Sequence, residues 1–532
     1  MKRLILFGAL CLPAFLAGCI HNDLPYPVVT INIEAIEAEG HDGAAQINAA
    51  QQTVILPLLE TTDIRNVHIT SVTLTEGGQS SVAFPGTFDL RTPLYTTLSL
   101  YQEYGWSIAA TQTIERYFRV KKQVGAAEID PANRTATAYV SRSTDLQNVP
   151  VKELKLGPAG ITTYSPEIEG TTSFETVRLV DVTAHGRTEQ WRLRVVPTDA
   201  VRITQCDAWA RIAWLAADGL SDTEMGFVYR RKGDTEWLAV PDVEIEGGTF
   251  RAKLAGLDPE TTYELKAFSD TDRSNVREFT TEAALQLPNA GFETWSTDRS
   301  DILYPYAADA PLAEQFWGSG NPGSMTLKKL VTTNEKDPRP GSEGQYCAQL
   351  KSQYVAFLGV GKFAAGNLFS GHYAETKGTD GIVNFSQPFT SRPVALHGWV
   401  KYNRGKMDYI KGSPMGMSFA KGDPDEGIIY MALGRWTAAE YGGTEQSPVQ
   451  VYTRDTKTFF DPEGKDVIAY GEVVFTTSVD EWREFTVKLD YTATDVVPTH
   501  LMIVCSASRY GDYFTGSSDS VMWVDDFELV YE

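Results

Sequence analysis

Cysteine is scarce, with five in 532 residues, and no two of them have the short spacing of a zinc site. Seven histidines are scattered without a His-x-x-x-His pair, so nothing supports a transition-metal enzyme. No Gly-x-Ser-x-Gly elbow and no phosphate-binding P-loop occur, which removes the commonest serine-nucleophile and nucleotide signatures. Basic residues are outnumbered: 47 Lys and Arg against 69 Asp and Glu give a net charge of −22. A field of that sign repels polyphosphate and leaves a nucleic acid without counterion-release energy. Beyond the N-terminus no apolar run approaches the roughly 20 residues needed to span a bilayer. Helical periodicity is also nearly absent, apart from a short candidate around residues 44–52. What is present is material for packed cores, 42% hydrophobic and 11% aromatic residues, in a length that fits about three to five domains.

Met1, Lys2 and Arg3 precede an apolar stretch from Leu4 to Ala17, the layout of an export signal. It ends in Leu16-Ala17-Gly18-Cys19, which resembles the lipobox of bacterial lipoproteins. The resemblance implies cleavage after residue 18 and acylation of Cys19, hence a lipid bilayer as partner, held by buried acyl chains. Ile20 follows the cysteine where an acid would retain the protein at the inner membrane, so the expected place is the cell envelope, as an outer-membrane lipoprotein, periplasmic or surface-exposed. Residues 19–27, with Pro25-Tyr26-Pro27, read as an extended tether. Cys206, Cys347 and Cys505 remain in the mature chain. Cys347 could oxidise with Cys505, but thiols in apolar strand-like surroundings more often behave as small buried hydrophobes.

The dominant period is two. Val67 and Ile69, Val72 and Leu74, and Leu98 and Leu100 alternate with polar residues, as strands with one face in a core do. Phe118-Arg119-Val120 and Leu193-Arg194-Val195 form a faint echo 75 residues apart. In the second copy Trp191, Leu193 and Val195 face one way, and Arg192 and Arg194 the other. The expected fold class is all-β: a β-sandwich module over 28–120, another over 121–197, a third over 198–283, and a C-terminal domain over 284–532.

Within the third module, Ala210 to Trp214 reads as a strand with a buried Trp and Gly226 to Arg231 as its neighbour. The run Leu254-x-x-Leu257-x-Pro259-x-x-x-Tyr263-x-Leu265-x-Ala267 resembles a fibronectin type III domain, with Tyr263 as its corner tyrosine. The C-terminal domain opens with Asn289-Ala290-Gly291-Phe292-Glu293 and closes with Trp523-Val524-Asp525-Asp526-Phe527-Glu528-Leu529. That bracket resembles jelly-roll carbohydrate-binding modules, whose first and last strands meet near a structural calcium. Glu293 with Asp525 would be its carboxylate ligands, completed by carbonyls, and no other cofactor is expected. Phe316-Trp317-Gly318-Ser319-Gly320-Asn321-Pro322, Arg339-Pro340-Gly341, Phe363-Ala364-Ala365-Gly366-Asn367, Gly381-Ile382-Val383-Asn384-Phe385 and Ile429-Tyr430-Met431-Ala432-Leu433-Gly434 follow in order. Together they resemble the carbohydrate-metabolism domain called PCMD, found in lipoproteins of Bacteroidetes. The resemblance implies a jelly-roll sandwich and a role in glycan handling, and transfers no catalytic residue.

Sugars are held by aromatic faces, with amides, carboxylates and Arg around their hydroxyls. Trp317 and Asn321, in a Gly/Ser/Pro loop, are the first candidates. Lys377 and Asp380 in Lys377-Gly378-Thr379-Asp380-Gly381, and Arg509 and Tyr510 in Arg509-Tyr510-Gly511-Asp512-Tyr513-Phe514, are the next. Trp399, in a strand, is expected to be buried. For a glycosidase the candidate carboxyls are Asp423, Asp425 and Glu426, although Gly422-Asp423-Pro424-Asp425-Glu426-Gly427 reads more simply as an exposed turn. The favoured expectation is therefore a membrane-anchored carbohydrate-binding lipoprotein that captures an oligo- or polysaccharide without cleaving it, with other cell-envelope glycan-uptake proteins as candidate partners. The alternatives are a glycoside hydrolase or related carbohydrate-active enzyme using acids of the C-terminal domain, and an adhesion or structural lipoprotein.

Overall fold

The computed structural model describes residues 31–532 except 50, 101, 169, 358, 359, 379 and 415. The signal 1–18, Cys19 and the tether to residue 27 lie outside the described residues. Almost every element is a strand, in several sheets that pair face to face. Among the described residues no helix is long and apolar enough to cross a membrane. The chain forms two compact units, Met1–Ile114 and Glu115–Glu532.

In the first unit a three-stranded sheet (Ile33–Ala38, Val67–Leu74, Gly86–Phe88) faces a five-stranded one. Val54, Leu56, Val67, Ile69, Leu98, Trp106 and Ile108 fill the space between. Inward positions shift from Val67 and Ile69 to Val72 and Leu74 because a bulge opposite Glu37 and Ala38 inserts one residue and turns the strand over. The helix anticipated around residues 44–52 is a hairpin arm instead: Gln46–Asn48 pairs with Thr53–Leu58. A segment that short cannot sustain a helical nucleus, and β-branched Thr53, Val54 and Ile55 offer it a strand edge.

The second unit begins by repeating the first. Tyr117–Val120, Val149–Lys155 and Gly170–Thr172 make a three-stranded sheet, and five further strands as far as Arg187–Thr198 make the other. Strand order is the same in both copies, including one parallel pair at the centre of each larger sheet: Thr53–Leu58 beside Glu103–Gln112, and Thr135–Ser141 beside Arg187–Thr198. The echo in the sequence is thus a structural repeat, but its alignment differs. Tyr117–Val120 is the first strand of its copy and Arg187–Thr198 the last, so the equivalent of Trp191 is Trp106, 85 residues earlier. Both indoles are buried. For the same reason the division falls at 114/115 and not near 121, since a cut there would strip the second copy of its first strand.

Residues 201–279 enclose a third core between a four-stranded and a five-stranded sheet. The strand expected over 210–214 is Ala213–Asp218, and the buried indole is Trp209 just before it, with Trp214 half-buried. Met225–Arg231 pairs with Thr262–Ser269 in the opposite sheet. Tyr263 stacks on Phe279 with ring centres 5.6 Å apart, and its hydroxyl accepts the Asp258 N–H at 3.0 Å. Tyr263→Phe leaves that N–H without its acceptor and should lower the stability of this module by about 1 kcal/mol, read from urea unfolding; an unchanged midpoint would show the bond to be dispensable.

This module is locked to the C-terminal domain. The Arg392 side chain, 4% exposed, donates to Glu282 Oε1 at 2.9 Å, to the Ala208 carbonyl at 2.8 Å and to the Thr494 carbonyl, and lies over Trp209. Trp209 in turn packs against Tyr491 at 4.4 Å and donates its indole N–H to the Thr494 carbonyl.

The C-terminal domain consists of two antiparallel sheets packed face to face. One is five-stranded: Thr332–Glu335, Cys347–Lys351, Val521–Val530, Ala395–Asn403 and Val479–Lys488. The other is nine-stranded, with Asp380–Phe385, Asn367–Lys377, His500–Ser506, Gly427–Gly434 and Val467–Phe475 at its centre. Their inner faces share the largest core, including Phe292, Trp317, Leu350, Val400, Ile429, Ile503 and Val524. The opening and closing segments do meet, through the Phe527 N–H to the Ala290 carbonyl and Phe292 against Phe527 at 5.1 Å. The opening segment is a turn and irregular chain, however, and not a strand. Cys206, Cys347 and Cys505 are all free. Burial raises the Cys206 thiol to about 11 and Cys347 to about 12, and pushes Cys505 higher still, as expected of small apolar packing groups.

Candidate functional site

The nine-stranded sheet is apolar on both faces, and its second face holds the site. Along His500–Ser506, residues Leu501, Ile503 and Cys505 enter the main core, so Met502, Val504 and Ser506 point away from it. Gly427–Gly434 follows the same rule, with Ile429, Met431 and Leu433 inward and Ile428, Tyr430 and Ala432 outward. Such strands read as near-continuous apolar runs because both sides are covered. At one end the second face is covered by Trp436, with Tyr441, Phe459 and Phe460 packed beside it. At the other it opens into a cavity of about 440 Å³.

Phe369, Phe385, Tyr430 and Val504 make the cavity floor. The helical turns Asn321–Ser324 and Met325–Leu327, the hairpin built on Gln353–Phe357 and Val360–Ala364, and the turn at Gly511–Tyr513 supply the walls. Tyr373 closes one side. Its hydroxyl bonds Thr376 at 2.8 Å, and a Cβ on Gly323 would come within 2.6 Å of that oxygen, so glycine is what lets the ring in. The polar lining is sparse and varied: Asn367, Ser506, Thr453, Lys362, Arg509 and Asp512. Apolar and aromatic walls with a few directed polar groups are how small-molecule sites are built.

Asp512 is the carboxyl among the lining residues. Its side chain is exposed to the cavity, and desolvation by the surrounding protein raises its pKa to about 6. Among the described residues its carboxylate takes part in no hydrogen bond or ion pair. Its charge also helps burial keep the Tyr430 phenol protonated. Nearby acids are engaged. Arg509 bridges Glu426 at 3.1 Å and Glu472 at 3.4 Å, and Glu472 accepts the Tyr470 hydroxyl at 2.6 Å. Asp380, nearly buried, pairs with Lys362 and, at 3.5 Å, with Arg454.

The residues singled out from the sequence fall into three groups. Arg509 lines the cavity, and the turn carrying Lys377 and Asp380 borders it through Gly378 and Gly381; Lys377 itself points to solvent and pairs with Glu375 at 2.7 Å. Tyr510 sits beside Arg509 but stacks on Phe419 at 4.6 Å and is 9% exposed. Trp317 and Asn321 are corrected outright, because both are core. Trp317, 1% exposed, packs among Phe292, Phe316 and Phe527 and donates its indole N–H to the Pro288 carbonyl. An indole so enclosed has no face to offer a sugar. Asn321 is fully buried and satisfied, donating to the Leu303 and Thr332 carbonyls and accepting from Val331 and Thr332 N–H.

The Asp423–Glu426 turn also differs from expectation. Asp423 accepts the Ala420 N–H, as turn residues do. Asp425 is completely buried, accepting from Ser508, Ser520, the Ser517 N–H and the Glu426 N–H, and burial outweighs those bonds to raise its pKa. It is a structural carboxylate, and Glu426 is the partner of Arg509. Trp399, expected to be buried, is half-exposed on the outer face of the five-stranded sheet, under the Arg339 guanidinium at 5.1 Å.

Glu293 and Asp525 lie near one another, but their oxygens are in use. Glu293 accepts the Gln345 and Tyr346 N–H groups, Asp525 accepts those of Arg339 and Asp526, and the Arg339 side chain pairs with Asp526 at 2.6 Å. Among the described residues no three His, Cys, Asp or Glu side chains gather to hold a metal ion. A calcium ion at this place would have to displace these bonds. If they hold the carboxylates, melting with EDTA and with millimolar calcium gives the same Tm; a rise of several degrees with calcium would show a bound ion.

Sequence reasoning singled out the loop at 509–514, part of which lines the cavity, but selected Arg509 and Tyr510 and passed over Asp512. A usable signal was present: an acid set between glycine and two aromatics, where a solvated carboxylate has no need of them. Lys362 and Phe514 gave no such signal.

An all-β chain ending in a sandwich with an aromatic-floored cavity on one sheet is the class that fold and site define. Residues 291–530 match the family described as "Putative carbohydrate metabolism domain", so the protein carries a C-terminal carbohydrate-metabolism domain. Among solved structures, the chain is similar to a "putative glycoside hydrolase" of Bacteroides thetaiotaomicron, at 17% identity over 78% of this chain and 96% of that one, TM-score 0.31. It is also similar to a second protein so described from Bacteroides vulgatus, at 22% identity over 46% of this chain and 97% of that one, TM-score 0.33. No curated protein matches the chain.

Proposed function

We propose that the C-terminal domain is a glycoside hydrolase or related carbohydrate-active enzyme that binds a saccharide in the cavity and uses Asp512 as proton donor. The observation that carries this reading is an unpaired carboxyl facing a cavity floored by Phe369, Phe385 and Tyr430. Tyr430, the partly exposed ring of the floor, supplies a face for pyranose C–H bonds, with Phe369 and Phe385 packed as apolar support. In the reaction Asp512 gives its proton to the glycosidic oxygen as the bond to the anomeric carbon breaks, and water supplies the new hydroxyl. The proton that the water gives up passes to a second carboxyl, for which Glu426 and Glu472, held by Arg509 beside the cavity, are the candidates. The match of residues 291–530 to a carbohydrate-metabolism family supports the substrate class. Incubating the full chain with an array of oligosaccharides and analysing products tests it: new reducing ends that vanish in Asp512→Asn are expected.

A second reading, capture without cleavage, draws on the ion pairs that occupy every other acid around the cavity. Binding with no product, in wild type as in Asp512→Asn, would favour it. The finer architecture belongs to the same proposal. The 201–279 module is taken as fibronectin type III-like on the strength of the Tyr263 hydroxyl bond, and the C-terminal sandwich as a jelly roll. Attachment to a lipid bilayer through acylated Cys19 is proposed from the N-terminal sequence, and mass spectrometry of the expressed protein tests it.

A further inference from the structure

At the rim of the cavity, beside Phe514, positive charge is concentrated in a chain whose net charge is −22. Lys362 and Lys411 both place their ammonium groups over the ring of Phe514, at 4.1 and 4.8 Å from its centre, and Phe514 and Lys362 line the cavity. Lys362 and Arg454 share the one carboxylate of Asp380. Lys411 takes part in no ion pair among the described residues, and faces like charge from Lys362 and Arg454. Three cations therefore meet one anion at this rim, in a chain of net charge −22. Arg509 does not add to the excess, since Glu426 and Glu472 answer it.

Crowded like charges are costly unless a counter-charge relieves them. A ring face offsets an ammonium only in part, and burial already combines with Lys362 to lower the pKa of Lys411. A structural role would be served by a second carboxylate beside Asp380, and none pairs with these groups. An anion arriving through the cavity would bond two ammoniums at once, with charge-assisted hydrogen bonds.

Resting on the reading of the cavity as a saccharide site, we propose that its ligand is an anionic saccharide, whose carboxylate or sulfate group is seated between Lys362 and Lys411 at Phe514. Tyr430 then meets a sugar ring while the two lysines select the charge. A neutral glycan could fill the same volume but would leave the lysine pair uncompensated.

The test uses the full chain on carboxylated, sulfated and neutral oligosaccharides, with matched pairs: oligogalacturonate and its methyl ester, and a carrageenan oligosaccharide and its desulfated form. At least one charged member should bind tenfold or more tighter than its neutral counterpart, with the advantage shrinking between 50 and 500 mM NaCl. Which pair shows the effect tells carboxylate from sulfate. Lys411→Gln, at an exposed position that should not disturb folding, is expected to reduce the charged-to-neutral ratio tenfold, and Lys362→Gln likewise. Equal binding within both pairs, or a ratio unmoved by Lys411→Gln, overturns the proposal. Tight neutral-glycan binding with products that depend on Asp512 would sink this inference and leave the proposed function standing; no binding to any glycan would remove both.

Discussion

Asp512→Asn should cut glycan turnover by roughly 10²–10⁴-fold and, in the same variant, make the folded protein more stable at pH 8. The two effects have one cause. Folding lifts the carboxyl from its ordinary 3.8 to about 6, so the native state holds the proton more tightly than the unfolded chain does. Stability from that protonation is complete below pH 3.8 and is lost as pH rises through about 6. Above that, the native state carries a poorly hydrated charge, which the isosteric amide abolishes. The Tm of Asp512→Asn should therefore exceed that of wild type at pH 8 and equal it near pH 4. Because the group still meets water, the gain is set by the residual desolvation and not by the whole shift. Wild-type kcat/KM should fall on the alkaline side of about 6 as the donor ionises. A variant that is inactive but no more stable at pH 8 would mean that Asp512 is better hydrated than its surroundings imply, and it would lose its claim to be the proton donor.

Arg392→Ala should cost about 3–5 kcal/mol in the unfolding transition of the C-terminal region, the expense of leaving a buried ion-pair partner alone. Glu282 would keep a desolvated carboxylate whose other oxygen already lacks a hydrogen-bond partner, the Ala208 carbonyl would lose the guanidinium donor, and the Thr494 carbonyl would keep only the Trp209 indole N–H. Trp209, sandwiched between Arg392 and Tyr491, makes the break visible, since its fluorescence should change before the rest of the domain melts. Arg392→Lys restores the charge but not the fork that reaches three acceptors, and should recover less than half of the loss. A midpoint in urea within 0.2 M of wild type for Arg392→Ala would show that the module and the domain are held by something else.

Alternation was the legible part of this fold. Trp191, Leu193 and Val195 turn inward and Arg192 and Arg194 outward, as a period of two requires, and Tyr263 bonds the backbone just upstream of it. The site was far less legible. Trp317 sits in a run of Gly, Ser and Pro that reads as a surface loop, but it pairs with Ser370 and points its indole at Pro288, contacts that no local pattern records. Asp512 owes its character to floor residues that lie from Phe369 to Val504 in sequence. In the free chain it is an ordinary acid. Asp425 erred in the other direction, because Pro424 and Gly427 suggested an exposed turn while Ser508, Ser517 and Ser520 close over its carboxylate from nearly a hundred residues away.

Two consecutive modules with one strand order face a hazard during synthesis, because a strand of the first can be captured by the vacant slot of the second. Tandem neighbours of like topology are prone to such swapped misassembly, and sequence divergence is what guards against it. Here the shared tryptophan is followed by Ser107-Ile108 in one copy and Arg192-Leu193 in the other. A last strand exchanged between copies would bring a charged residue to a position where its host presents a hydroxyl, so that the correct partner is preferred while both chains are still half-made.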